Sequence, residues 1–79
     1  MKTEYIACKG QYTVRISDIT TMHITEIRDL DGEKVESIVF GLGVNDRKLY
    51  WNFSTKEARD RAWDQIQYVF NEVTTYISA

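Results

Sequence analysis

Residues Phe53-Ser54-Thr55-Lys56-Glu57-Ala58 carry the strongest local instruction in this chain. Ser54 and Glu57 stand at the spacing of a capping box, in which hydroxyl and carboxylate each accept from the other residue's main-chain amide. Phe53 and Ala58 occupy the two positions of a hydrophobic staple. From about residue 55 to 77, Ala58, Ala62, Trp63, Ile66, Val69, Phe70, Val73 and Ile77 recur at helical spacing. At about 100° per residue they fill one arc of about 140°, the stripe of a helix lying on an apolar surface. The preceding sequence must supply that surface.

It does so as strands. Residues 3–8, 11–16, 20–28, 35–40 and 47–53 have strand composition. Alternation places Tyr12, Val14 and Ile16 on one side, Met22 and Ile24 on one side, and Leu49, Trp51 and Phe53 on one side. Glu26 and Ile27 exchange the expected polar and apolar slots, which predicts a bulge or strong twist. Asp31-Gly32 predicts a two-residue hairpin turn, and Asn45-Asp46 a second turn. Short connections favour neighbours in sequence as neighbours in space. The expectation is an α+β domain spanning residues 1–79: a five-stranded antiparallel β-meander, open or curled, packed by one long C-terminal helix. One segment strains a two-layer scheme, because Ile38-Val39-Phe40 is apolar on both faces and Ile6, Cys8 and Ile27 oppose the main inward set. Either the sheet curls over its own reverse side, or a second copy covers it.

Composition removes several functions. A net charge of −2 over 79 residues gives no global attraction to nucleic acid or acidic membranes. One cysteine excludes an intrachain disulfide, and one histidine excludes most Cys/His zinc sites. The first residues lack the apolar core of a signal peptide, and no apolar run reaches membrane-spanning length, so the expected location is the cytoplasm.

The candidate chemistry is thin. Cys8 and His23 suggest a nucleophile pair, but nothing in their spacing brings them together, and a buried thiol with a strand histidine is the plainer reading. Asp29, Asp31 and Glu33 surround Gly32, yet the glycine comes too early for a calcium loop and no closing acid follows. Gly41-Leu42-Gly43 lacks the lysine and the helix of a phosphate loop, and suits a bulge or bend. No catalytic set, metal site or cofactor site can be assembled. The polar strand positions are richer: Thr13, Arg15, Thr21, His23, Thr25, Lys48, Tyr50 and Asn52 are expected on one face. Arg15 and Lys48 suit phosphates, and His23 and Tyr50 suit stacked bases. Threonine and tyrosine are also ordinary solvent-facing strand residues.

Residues Tyr12-Thr13-Val14-Arg15-Ile16-Ser17-Asp18-Ile19 with Met22 and Ile24, the strand Leu49/Trp51/Phe53, and the helix start Ser54-x-x-Glu57-Ala58 give a layout. It resembles the small bacterial and bacteriophage proteins with a pleckstrin-homology-like, β-meander-then-helix arrangement. The resemblance spans the chain, with five strands where the full pleckstrin-homology fold has seven, and it implies an interaction module without enzymatic activity. Residues 10–15 and 24–28 are also similar to the first two strands of the single-stranded-DNA-binding transcriptional coactivators. The acidic balance and the lack of that family's later basic, glycine-containing strand depart from it.

The leading expectation is therefore a non-enzymatic interaction protein, phage- or bacteria-encoded, that binds a protein partner or forms a homodimer. Ile38, Phe40, Trp63 and Tyr68 are its candidate interface. The alternative is a binder of a nucleotide or single-stranded nucleic acid through Arg15, His23, Lys48 and Tyr50.

Overall fold

The computed structural model describes residues 4–43, 45 and 47–73, with side chains described as far as Phe70. Strands β1 (Tyr5–Ile6) and β2 (Val14–Arg15) form a two-stranded antiparallel sheet. A 3-10 turn, Ile16–Asp18, leads into β3 (Ile19–Arg28), β4 (Lys34–Leu42) and β5 (Arg47–Phe53), an antiparallel sheet in the order β3-β4-β5. Helix α1 (Lys56–Val73) follows and lies over β4 and β5. The expected α+β class and antiparallel connectivity hold. The five strands, however, divide into two sheets instead of one meander, and Thr13 precedes β2. Residues 74–77 of the expected helix, and the side chain of Val73, lie outside the described residues.

The register explains the two faces of the larger sheet. Met22, Phe40 and Leu49 stand side by side, as do Ile24, Ile38 and Trp51. These point at α1, where Ile38, Phe40, Trp51 and Ile66 make the core together with Ile6 and Val14. Phe40 and Trp51 meet edge to face with centroids 4.9 Å apart, the arrangement that ring quadrupoles favour. Ile38 and Phe40 are 0% exposed, so their expected role as an interface is corrected: both are core residues beneath the helix. Val39, on the reverse face, is buried without a second layer. His23 and Tyr50 flank it directly across the two ladders and shield it, leaving it 2% exposed. Ile6 and Cys8 turn into the core instead of opposing it, whereas Tyr12, expected inward, is 76% exposed.

The turns differ from expectation in instructive ways. The β3–β4 connection is a three-residue loop, not a two-residue one. The amide of Gly32 donates to the Asp29 carbonyl at 3.0 Å, and Gly32 takes φ 79°, the left-handed closing position of such loops. The Asp29 carboxylate accepts from the amides of Asp31 and Glu33, both at 2.9 Å. The acidic cluster thus builds the turn itself. The expected irregularity at Glu26-Ile27 is absent, since pairing runs unbroken from Thr21 to Arg28. The bulge falls at Thr20, opposite Gly41 and Leu42. Gly41 is buried there, and a Cβ on it would collide with Thr21 Oγ1. The helix starts one residue later than the capping box predicts: Thr55 Oγ1 accepts from the Ala58 amide at 3.1 Å.

Glu26 occupies an apolar slot because that end of the covered face is ionic. Lys34 Nζ lies 3.1 Å from Glu26 Oε2. Arg59, within the helix stripe and 6% exposed, donates from Nη1 to Glu36 Oε2 and from Nε and Nη2 to Asp60 Oδ1. Buried charges persist only when paired in this way.

Candidate functional site

Two surfaces compete as the functional site. The first is the polar face expected from the sequence. The ladders place His23 and Tyr50 on either side of Val39, and Thr21 and Lys48 on either side of Gly41. Thr25 and Asn52 flank Ser37, whose hydroxyl donates to Asn52 Oδ1 at 2.7 Å. His23, Lys48 and Tyr50 therefore share one face, as expected. Arg15 does not join them: it belongs to β2 in the other sheet. The face keeps its aromatic and imidazole groups but loses one of its two expected cations. Its middle strand carries Ser37, Val39 and Gly41, all buried beneath their neighbours.

Cys8 and His23 are not a pair. Cys8 packs against the core, while His23 stands beside Val39 on the reverse face of the larger sheet. Among the described residues, no three metal-binding side chains cluster. No helix of the described residues is long and apolar enough to cross a membrane. Of the expected interface residues that remain, Trp63 packs on the core from one flank of the helix stripe, and Tyr68 stands 68% exposed.

The second surface has no counterpart in the strand and helix patterns of the sequence. A cleft of about 430 Å³ separates β1 from α1, with Tyr5, Ile6, Ala7, Cys8 and Lys9 on one wall and Ala62, Gln65, Ile66 and Val69 on the other; Trp51 completes it. It exists because the β1–β2 unit is joined to β5 by side chains instead of a ladder. Gln11 Nε2 donates to the Asn52 carbonyl at 2.7 Å, and Gln11 Oε1 accepts the Asn52 amide at 3.2 Å. Trp51 Nε1 donates to the Tyr12 carbonyl at 2.7 Å. Curling past β5, the chain carries β1 around to the helix flank formed by Ala62 and Val69.

The ladder parity decides what β1 presents there. The Ile16 amide donates to the Glu4 carbonyl at 2.9 Å, which makes Glu4–Ile16 and Ile6–Val14 the hydrogen-bonded pairs. The main-chain groups of Tyr5 and Ala7 then point away from β2. Among the described residues they have no hydrogen-bond partner. The sequence hinted at the apolar walls through Ile6, Cys8 and the small Ala62, but a two-residue strand carries too little alternation to reveal a free edge. Comparisons with protein-family models, with curated proteins and with solved structures give no match.

Proposed function

We propose that this chain is a non-enzymatic recognition module that accepts an extended segment of a protein partner as an added strand on β1. The observation that carries this reading is the outward main chain of Tyr5 and Ala7 beside an apolar cleft. Strand addition draws affinity from main-chain hydrogen bonds and selectivity from side-chain pockets, and both elements lie together here. Ile6, Cys8, Trp51, Ile66 and Val69 suit one aliphatic or aromatic anchor on the incoming segment. Lys9, at the end of the same wall, suits a carboxylate near it. Such a module fits an accessory factor of a bacterium or phage that acts in the cytoplasm.

Selection from a random peptide library, followed by 15N NMR titration of the chosen peptide, tests the proposal. Shifts are expected at Tyr5, Ala7, Gln65 and Val69. Ala7→Pro, which removes an outward amide, and Ala62→Trp, which fills the cleft, should each weaken binding at least tenfold. Selected peptides whose shifts map to His23, Lys48 and Tyr50 would overturn it. So would salt-sensitive oligonucleotide binding that is lost in Tyr50→Ala, which would favour the polar face.

A further inference from the structure

The outer edge of β3 is the longest strand edge in the larger sheet, ten residues without a neighbouring strand among the described residues. Its main-chain parity follows from the loop that precedes β4. The Asp29 amide donates to the Glu33 carbonyl at 3.0 Å, so the hydrogen-bonded pairs toward β4 are Ile27–Val35, Thr25–Ser37, His23–Val39 and Thr21–Gly41. The main-chain groups of Met22, Ile24 and Glu26 therefore face outward. Native sheets protect such edges with bulges and charges. On β3 these devices sit only at the two ends, as the Thr20 bulge and as Glu26, held by Lys34, with Arg28 beyond it. Between them runs Thr21-Met22-His23-Ile24-Thr25, with no acid, lysine or arginine and nearly the same read from either end.

We propose that two copies of the chain pair β3 against β3, antiparallel, about a two-fold axis through His23. In that register Met22 faces Ile24 of the second copy in hydrogen-bonded pairs, Thr21 faces Thr25, and His23 faces its own counterpart. Shifting the axis to Ile24 sets the Glu26 carboxylate against Met22, and shifting it to Thr25 sets Glu26 against Ile24. Of these axes only the one through His23 gives both Met22 and Ile24 an apolar partner, which is how a register is specified. The pairing also completes an unfinished core. Because α1 lies over β4 and β5, Ile24 remains 41% exposed at the rim of the covered face, with Met22 half-buried beside it. A second β3 covers that rim and makes one six-stranded sheet, β5-β4-β3-β3-β4-β5. The β1 cleft takes no part, so this inference stands independently of the peptide-binding reading.

Sedimentation velocity across micromolar concentrations should show the mass rising from 9.3 kDa toward twice that value. His23→Asp places two carboxylates opposite each other, and Ile24→Lys charges the rim; each should weaken dimerisation at least tenfold while circular dichroism stays unchanged. Register is read by cross-linking in a Cys8→Ser background. Residues in a non-hydrogen-bonded antiparallel pair have Cα atoms about 4.5 Å apart, close enough for a disulfide. His23→Cys should therefore give a covalent dimer under mild oxidation. Thr21→Cys and Thr25→Cys should not do so singly, but should when mixed. A monomer at every concentration, a dimer indifferent to His23→Asp and Ile24→Lys, or equal cross-linking at all three positions would overturn the proposal.

Discussion

The carboxamide of Gln11 acts as a one-residue strand for Asn52, donating to its carbonyl at 2.7 Å and accepting its amide at 3.2 Å. One side chain thereby satisfies the outer edge of β5 where no ladder forms. A pair of such bonds contributes about 1–2 kcal/mol net. Gln11→Ala should lower unfolding free energy by that amount in urea titrations. It should also speed hydrogen exchange at the Asn52 amide beyond what the global loss explains. Gln11→Glu keeps the acceptor but sets an oxygen against the Asn52 carbonyl, and should cost no less.

Arg59 has two carboxylate partners, Glu36 and Asp60, whereas Glu36 has only Arg59 among the described residues. The side chains of Arg59 and Glu36 are 8% and 10% exposed. Breaking a buried pair strands a charge and typically costs about 3–5 kcal/mol, while apolar replacement of both partners is often neutral. Arg59→Met should therefore destabilise more than Glu36→Gln, which leaves Arg59 its Asp60 contact. The double variant Glu36→Leu/Arg59→Met should return to within about 1 kcal/mol of the parent. Chemical denaturation of these variants and the parent checks the ranking.

Thr55, not Ser54, caps α1, since its hydroxyl accepts the Ala58 amide. Thr55→Ala should lower stability by about 1 kcal/mol. Ser54→Ala, away from the cap, should change it by less than about 0.5 kcal/mol. Thermal unfolding of the two variants gives opposite rankings for the two possible helix starts.

These corrections show what the amino-acid pattern carries and where it stops. Alternation placed Met22, Ile24, Leu49, Trp51 and Phe53 on the covered face because inward residues must repeat every second position. The helix stripe led to Ile66, Phe70 and Trp63 for the same kind of reason. Ser54 and Thr55 are chemically equivalent caps, so spacing alone chose the wrong one. Ile38-Val39-Phe40 reads as an apolar excess only while Val39 needs its own cover; strand register, which sequence does not display, lets His23 and Tyr50 provide it. Arg59 is silent in the sequence because a charged residue in an apolar arc signals nothing until Glu36 is known to lie opposite. Arg15 belongs on the polar face only if the sheet is continuous, and it is not. The cleft was invisible because it depends on Gln11 and Trp51 joining segments about forty positions apart.

Trp51 and Gln11 tether the β1–β2 unit to the main sheet through a few side-chain bonds, with no continuous ladder. Its other hold on the domain is apolar, through Ile6 and Val14, which are buried in the shared core. A guest that grips both walls of the channel beside the helix would therefore add a main-chain link that the two sheets do not make with each other.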